Sequence, residues 1–150
     1  EWPHDNSLDW HLLENPLNKG LQRWLEDLNQ FYRRNPAMHE KDFSHEGFGW
    51  IDCNDVHQST LSLIRHGSAS EDDIIVVCNF TPVPRHNYRV GVALEGTWKE
   101  CLNSDGADYG GSNQGNLGGL EATPVPSHGQ PFSINLVLPP LGIVFFKKEG

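Results

Sequence analysis

The chain has 150 residues, 20 of them acidic and 11 basic, giving a formal net charge of −9 with its 8 histidines neutral. That length suits one domain plus an appendage, and no apolar run approaches the roughly 20 residues of a membrane-spanning helix. The acidic balance argues against a nucleic-acid partner, because a polyanion demands a basic face, and it suits a neutral partner such as a sugar.

Residues 1–19 read as an irregular segment. Trp2, Leu8, Trp10, Leu12 and Leu13 lie among Pro3, Asn6, Asn15 and Pro16 without a clear period. So many large apolar groups predict a loop that packs onto something. A helix follows: Leu21, Trp24, Leu25, Leu28, Phe31 and Tyr32 recur on one face of a 3.6-residue period. Asn18 or Gly20 is the expected cap, Arg33 and Arg34 suit the negative end of the helix dipole, and Asn35-Pro36 stops it.

After Pro36 the period changes to 2. Strands are predicted over 48–52, 60–66, 74–80, 88–92, 97–102, 132–138 and 143–146, with a short one near 120–123. Residues 74–77 and 143–146 are continuously apolar, as in strands covered on both faces. Residues 97–102 alternate poorly. Turn sequences such as His66-Gly67-Ser68, Pro82-Val83-Pro84 and Pro139-Pro140 separate the strands. Short strands at such spacing predict an antiparallel β-sandwich. Residues 105–119, rich in Gly, Ser, Asn and Gln, read as a flexible or conformationally demanding loop.

The odd set Cys53, Cys78 and Cys101 contains no CxxC pair, which predicts free thiols in a cytoplasmic protein. The sequon Asn79-Phe80-Thr81 ends an apolar strand and reads as chance. Glu1 opens the chain with neither Met nor a targeting leader, as expected of a piece of a longer protein.

The sequence carries no G-x-x-x-x-G-K-[ST] or G-x-G-x-x-G phosphate loop, no G-x-S-x-G elbow and no H-E-x-x-H pair. Neither a metal site nor a cofactor is expected. Glu71-Asp72-Asp73 reads as a solvated turn. His4-Asp5 beside Trp2 and Trp10 reads either as a sugar contact or as a packed loop with local hydrogen bonds.

Longer motifs are more specific. Glu1-Trp2-Pro3-His4-Asp5-Asn6-Ser7-Leu8-Asp9-Trp10 resembles the E-W-x-H-D-x-S-L-D-W motif of bacterial-type 1,4-α-glucan (glycogen) branching enzymes. Pro3 stands where that family usually has Asn. Pro36-Ala37-Met38-His39-Glu40, Gly47-Phe48-Gly49-Trp50-Ile51, Asn79-Phe80-Thr81-Pro82-Val83-Pro84-Arg85 and Tyr109-Gly110-Gly111-Ser112-Asn113-Gln114-Gly115-Asn116 continue the match to about residue 146.

The resemblance implies membership of the α-amylase superfamily. Residues 1–38 would be the last loop and helix of a (β/α)₈ barrel, and 39–150 the C-terminal β-sandwich. The implied reaction cuts an α-1,4 linkage and transfers the chain to a 6-hydroxyl with retention, through an aspartate nucleophile and a glutamate acid. Those residues belong to barrel strands outside this chain, so no catalytic residue is expected here. The segment would be structural. Trp2, His4, Asp5 and Trp10 would line the cleft rim, because barrel active sites are built from the loops after the strands. The implied partners are α-glucan and the catalytic barrel, with no nucleic acid and no membrane. The alternative is a non-catalytic glucan-binding sandwich that uses Trp50, Trp98 or Tyr109.

Overall fold

The computed structural model describes residues 4–150; Trp2 lies outside the described residues. A 3₁₀ turn, Trp10–Glu14, leads into the helix α1, Pro16–Arg34. The helix starts earlier than Asn18 or Gly20. Asn15 is the cap, its Oδ1 accepting the Leu17 N–H at 2.9 Å, and Pro16 occupies the first helical position, where the missing N–H costs nothing. Asn35 ends the helix, as Pro36 requires. Its backbone N–H and its Nδ2 both donate to Phe31 O.

Eight strands follow: β1 Phe48–Asp52, β2 Thr60–Arg65, β3 Ile74–Asn79, β4 Arg85–Val92, β5 Gly96–Asn103, β6 Gly119–Ala122, β7 Phe132–Leu138 and β8 Ile143–Lys148. All pairings are antiparallel. One sheet runs β1-β2-β3-β8-β5-β6 and the other pairs β4 with β7. The two sheets enclose Ile75, Val77, Val90, Val92, Trp98, Ile134, Leu136, Val144 and Phe146. On the other face of the large sheet, Ile74, Val76, Leu102 and Phe145 are covered by Trp24, Leu28 and Phe31 of α1. The runs 74–77 of β3 and 143–146 of β8 are continuously apolar because both faces are covered there.

The poor alternation of β5 has a geometric cause. The register with β8 shifts between Glu100 and Leu102. An extra residue reverses which face the following side chains meet. Trp98 thus enters the space between the sheets, whereas Leu102, four residues on, faces α1. A second irregularity, between Arg85 and Tyr88, carries β4 three residues further back than its alternation shows, with Asn87 at φ 57°.

Two turns differ from their composition. Asp73 is buried rather than solvated: its carboxylate accepts the Gly67 N–H at 2.9 Å and lies 3.0 Å from His66 Nδ1. The glycine-rich loop is organised around buried Asp105, whose carboxylate accepts from Ser112 N, Ser112 Oγ and Gln114 N. Glycine is required at 111, where a Cβ would meet Asp105 O at 2.2 Å.

Candidate functional site

The segment expected at the cleft rim is open. His4 and Asp5 lie in an exposed turn, and Trp10 starts the 3₁₀ turn with 63% of its surface exposed. Both side chains of the His4-Asp5 pair are exposed. The turn is nonetheless tied to α1, because Asn18 Nδ2 donates to Leu12 O at 3.0 Å and Asn15 N–H to Leu12 O at 3.1 Å.

The apolar face of α1 divides in two. Trp24, Leu28 and Phe31 pack on the sandwich, with Phe31 edge-on to Phe145. Leu17, Leu21, Leu25 and Tyr32 are exposed, as are Leu8 and Leu12 before them. A helix of an isolated small domain would turn its leucines inward.

The inward side is held by the β5–β6 loop. Tyr109 meets Trp24 edge-on, with ring centres 5.2 Å apart, and its hydroxyl donates to Asp27 Oδ2 at 2.8 Å. Arg23 pairs with Asp108 at 3.0 Å. Burial, and then the hydrogen bond to the Asp27 carboxylate, push the Tyr109 hydroxyl up to about 12. Gly20 is buried against the Tyr109 backbone. A cavity of about 510 Å³ beside this contact is lined by Lys19, Gln22, Arg23, Glu26, Asp27 and Asp108.

The three aromatic candidates for a sugar platform differ in access. Trp98 is 1% exposed, and its Nε1–H donates to Leu94 O, so it is a core residue. The Tyr109 ring is engaged with α1. Trp50 is 54% exposed, edge-on to Phe48 at 5.0 Å, and borders a cavity with Ile64, His66, His128 and Gln130. A polar cavity of about 440 Å³ adjoins it through His128, with Asp52, Asp55, His86, Tyr88 and Arg89 on its walls. Sequence reasoning missed this hollow. Its walls come from three separated segments, 52–58, 86–89 and 127–128, and the local signs were Asn87 and His128, which adopt φ 57° and 49°.

Chemically the site offers hydrogen-bonding groups and ring faces. Among the described residues no three His, Cys, Asp or Glu side chains gather in a way that could hold a metal ion. Cys53 is exposed, while burial pushes the Cys78 and Cys101 thiols up; all three are free. The sequon asparagine is spent internally: Asn79 is 1% exposed and its Nδ2 donates to Val83 O and Pro139 O, both at 2.9 Å. No helix among the described residues is long and apolar enough to cross a membrane.

Residues 50–149, from β1 through β8, match the family described as alpha amylase, C-terminal all-beta domain. The chain belongs to this family. The α-amylase C-terminal domain assignment covers both sheets. The relatives extend it across the helix and the segment before it. The 1,4-alpha-glucan branching enzyme GlgB of Aquifex aeolicus is 53% identical over 150 residues, all of this chain and 24% of that protein. The GlgB of Burkholderia thailandensis is 51% identical over 150 residues, 18% of its length. The chain thus spans about a fifth to a quarter of the curated relatives it matches. The crystal structure of the α-amylase from H. orenii superposes with a TM-score of 0.51 and 19% identity, covering 93% of this chain and 22% of that one. That likeness shows the shared fold.

Proposed function

We propose that this chain is the structural C-terminal part of a glycogen branching enzyme, made of residues 1–38 as the terminal loop and helix of a catalytic barrel and residues 39–150 as the sandwich that covers it. The observation that carries the reading is the outward face of α1. Leu17, Leu21, Leu25 and Tyr32 are exposed on a helix whose opposite side is already packed. The matches at 53% and 51% identity span all 150 residues, the helix as well as the sandwich. The whole enzyme would cut α-1,4 linkages and rebuild them as α-1,6 branches, with Trp2, His4, Asp5 and Trp10 on the glucan-facing rim. The chain alone carries none of that chemistry, and its setting is the cytoplasm.

The test is a fusion in which this chain replaces the matching 150 residues of the Aquifex aeolicus enzyme. It should branch amylose, read as loss of iodine colour without new reducing ends, whereas the chain alone should change neither. A folded, inactive fusion, or turnover by the chain alone, overturns the reading.

Trp50 supports a second role beside the first. Its exposed indole stands next to a polar hollow, the pairing of ring face and hydrogen-bonding groups that a glucan chain requires. Retardation in a glycogen affinity gel that Trp50→Ala removes would establish it. Equal mobility of both proteins would dismiss it.

A further inference from the structure

Between the sandwich and the segment expected at the cleft rim runs one continuous set of contacts. It begins at Asp105, whose buried carboxylate shapes residues 105–114 through three hydrogen bonds. That loop presents Tyr109 and Gly110 to the first half of α1. A Cβ on Gly20 would lie 2.5 Å from Tyr109 O, and a Cβ on Gly110, which sits at φ 86°, would lie 2.9 Å from Leu17 Cδ2. Trp24 and Asp27 complete the contact with the Tyr109 ring and hydroxyl. The first turn of α1 then holds the 3₁₀ turn that starts at Trp10, through Asn15 and Asn18 on Leu12 O. The last turns of α1 have a further anchor, Phe31 edge-on to Phe145, and Asn35 caps them on Phe31 O.

We propose that Tyr109 is a positioning residue for the rim segment. Its hydroxyl on Asp27 and its backbone against Gly20 seat α1 on the loop, and so set where Trp10 and the residues before it stand. The glycine-rich loop of the sandwich thereby acts on the segment read as the glucan-facing rim. The proposal rests on the reading of residues 4–10 as rim.

Amide hydrogen exchange on the full chain, followed residue by residue, tests it. Asn15 and Lys19 report on the start of α1, because their N–H groups bond Leu12 O and Asn15 O. Tyr109→Phe keeps the ring and removes only the hydroxyl; Asp27→Ala removes the acceptor. Each should speed exchange at Asn15 and Lys19 roughly tenfold, the scale of one lost hydrogen bond to a charged group. Residues 74–77 and the last turn of α1 should hold their rates. Asp27→Asn, which keeps an acceptor oxygen, should stay near wild type, a rescue that simple loss of packing would not give. Unprotected Asn15 and Lys19 in the wild type overturn the proposal. So does faster exchange confined to 107–111, or faster exchange everywhere. Maltoheptaose added to the fusion with the Aquifex aeolicus enzyme, where the cleft is complete, tests the underlying reading separately. A shift of the Trp10 indole N–H that weakens at least threefold in Tyr109→Phe supports both. No shift, with the exchange results as expected, removes the rim reading and leaves the positioning role standing.

Discussion

Asn79 closes one end of the sandwich. Its Nδ2 ties the β3–β4 turn to the β7–β8 turn, while its Oδ1 accepts from Thr81 N at 3.0 Å and Thr81 Oγ1 at 2.8 Å. Asn79→Ala should therefore lower stability by about 2–3 kcal/mol in urea unfolding, because the polar groups it leaves are partly buried. Tyr109 gives a different signature. Its folded value of about 12 exceeds the usual 10, so the folded state holds the proton more tightly. The associated stability is present below about pH 10 and is lost as pH rises through about 12. Thermal melts across that window should fall more steeply for the wild type than for Tyr109→Phe, which has no hydroxyl to ionise.

At the level of elements, the seat of α1 depends on one missing side chain. Glycine inside a helix normally costs roughly 0.5–1 kcal/mol relative to alanine. At Gly20 the sign should reverse, since a methyl group would meet the Tyr109 backbone at 2.5–3.2 Å. Gly20→Ala should lower the melting temperature and quench the Trp24–Tyr109 contact, seen as a shift in tryptophan emission. An unchanged or raised midpoint would mean that α1 does not rest on the loop. The register shift in β5 is a comparable device: it lets one strand supply Trp98 to one layer and Leu102 to the other. Trp98→Ala, at a site 1% exposed, should cost about 3–5 kcal/mol.

Over the whole molecule, the inner face of α1 is satisfied by the sandwich and the outer face is not. Leu8, Trp10, Leu12, Leu17, Leu21 and Leu25 are all exposed on this helix and the segment before it. Contiguous apolar patches beyond a few hundred Å² are rare on soluble monomers. The chain by itself should self-associate through this face. Sedimentation velocity should show species larger than 16.9 kDa that Leu21→Ser with Leu25→Ser converts to monomer. A wild-type monomer at high concentration would show that the face tolerates water without a cover.

Local periodicity by itself determined the helix stripe and nearly every strand, because side-chain alternation is a property of neighbouring residues. The strands Phe48–Asp52 and Phe132–Leu138 match their predicted ranges, and the two continuous apolar runs became the doubly covered strands β3 and β8. The long motifs point to the family through residue identity alone. What they did not determine was access. Trp50 and Trp98 look alike as residues, yet one is exposed and the other sealed between sheets, since burial depends on which strand lies opposite. The division of the α1 stripe, the burial of Asp73 and Asp105, and the polar hollow around His128 likewise depend on segments brought together from distant parts of the chain. Tertiary packing decided them because a side chain's surroundings are set by what folds against it, and its sequence neighbours supply only part of that.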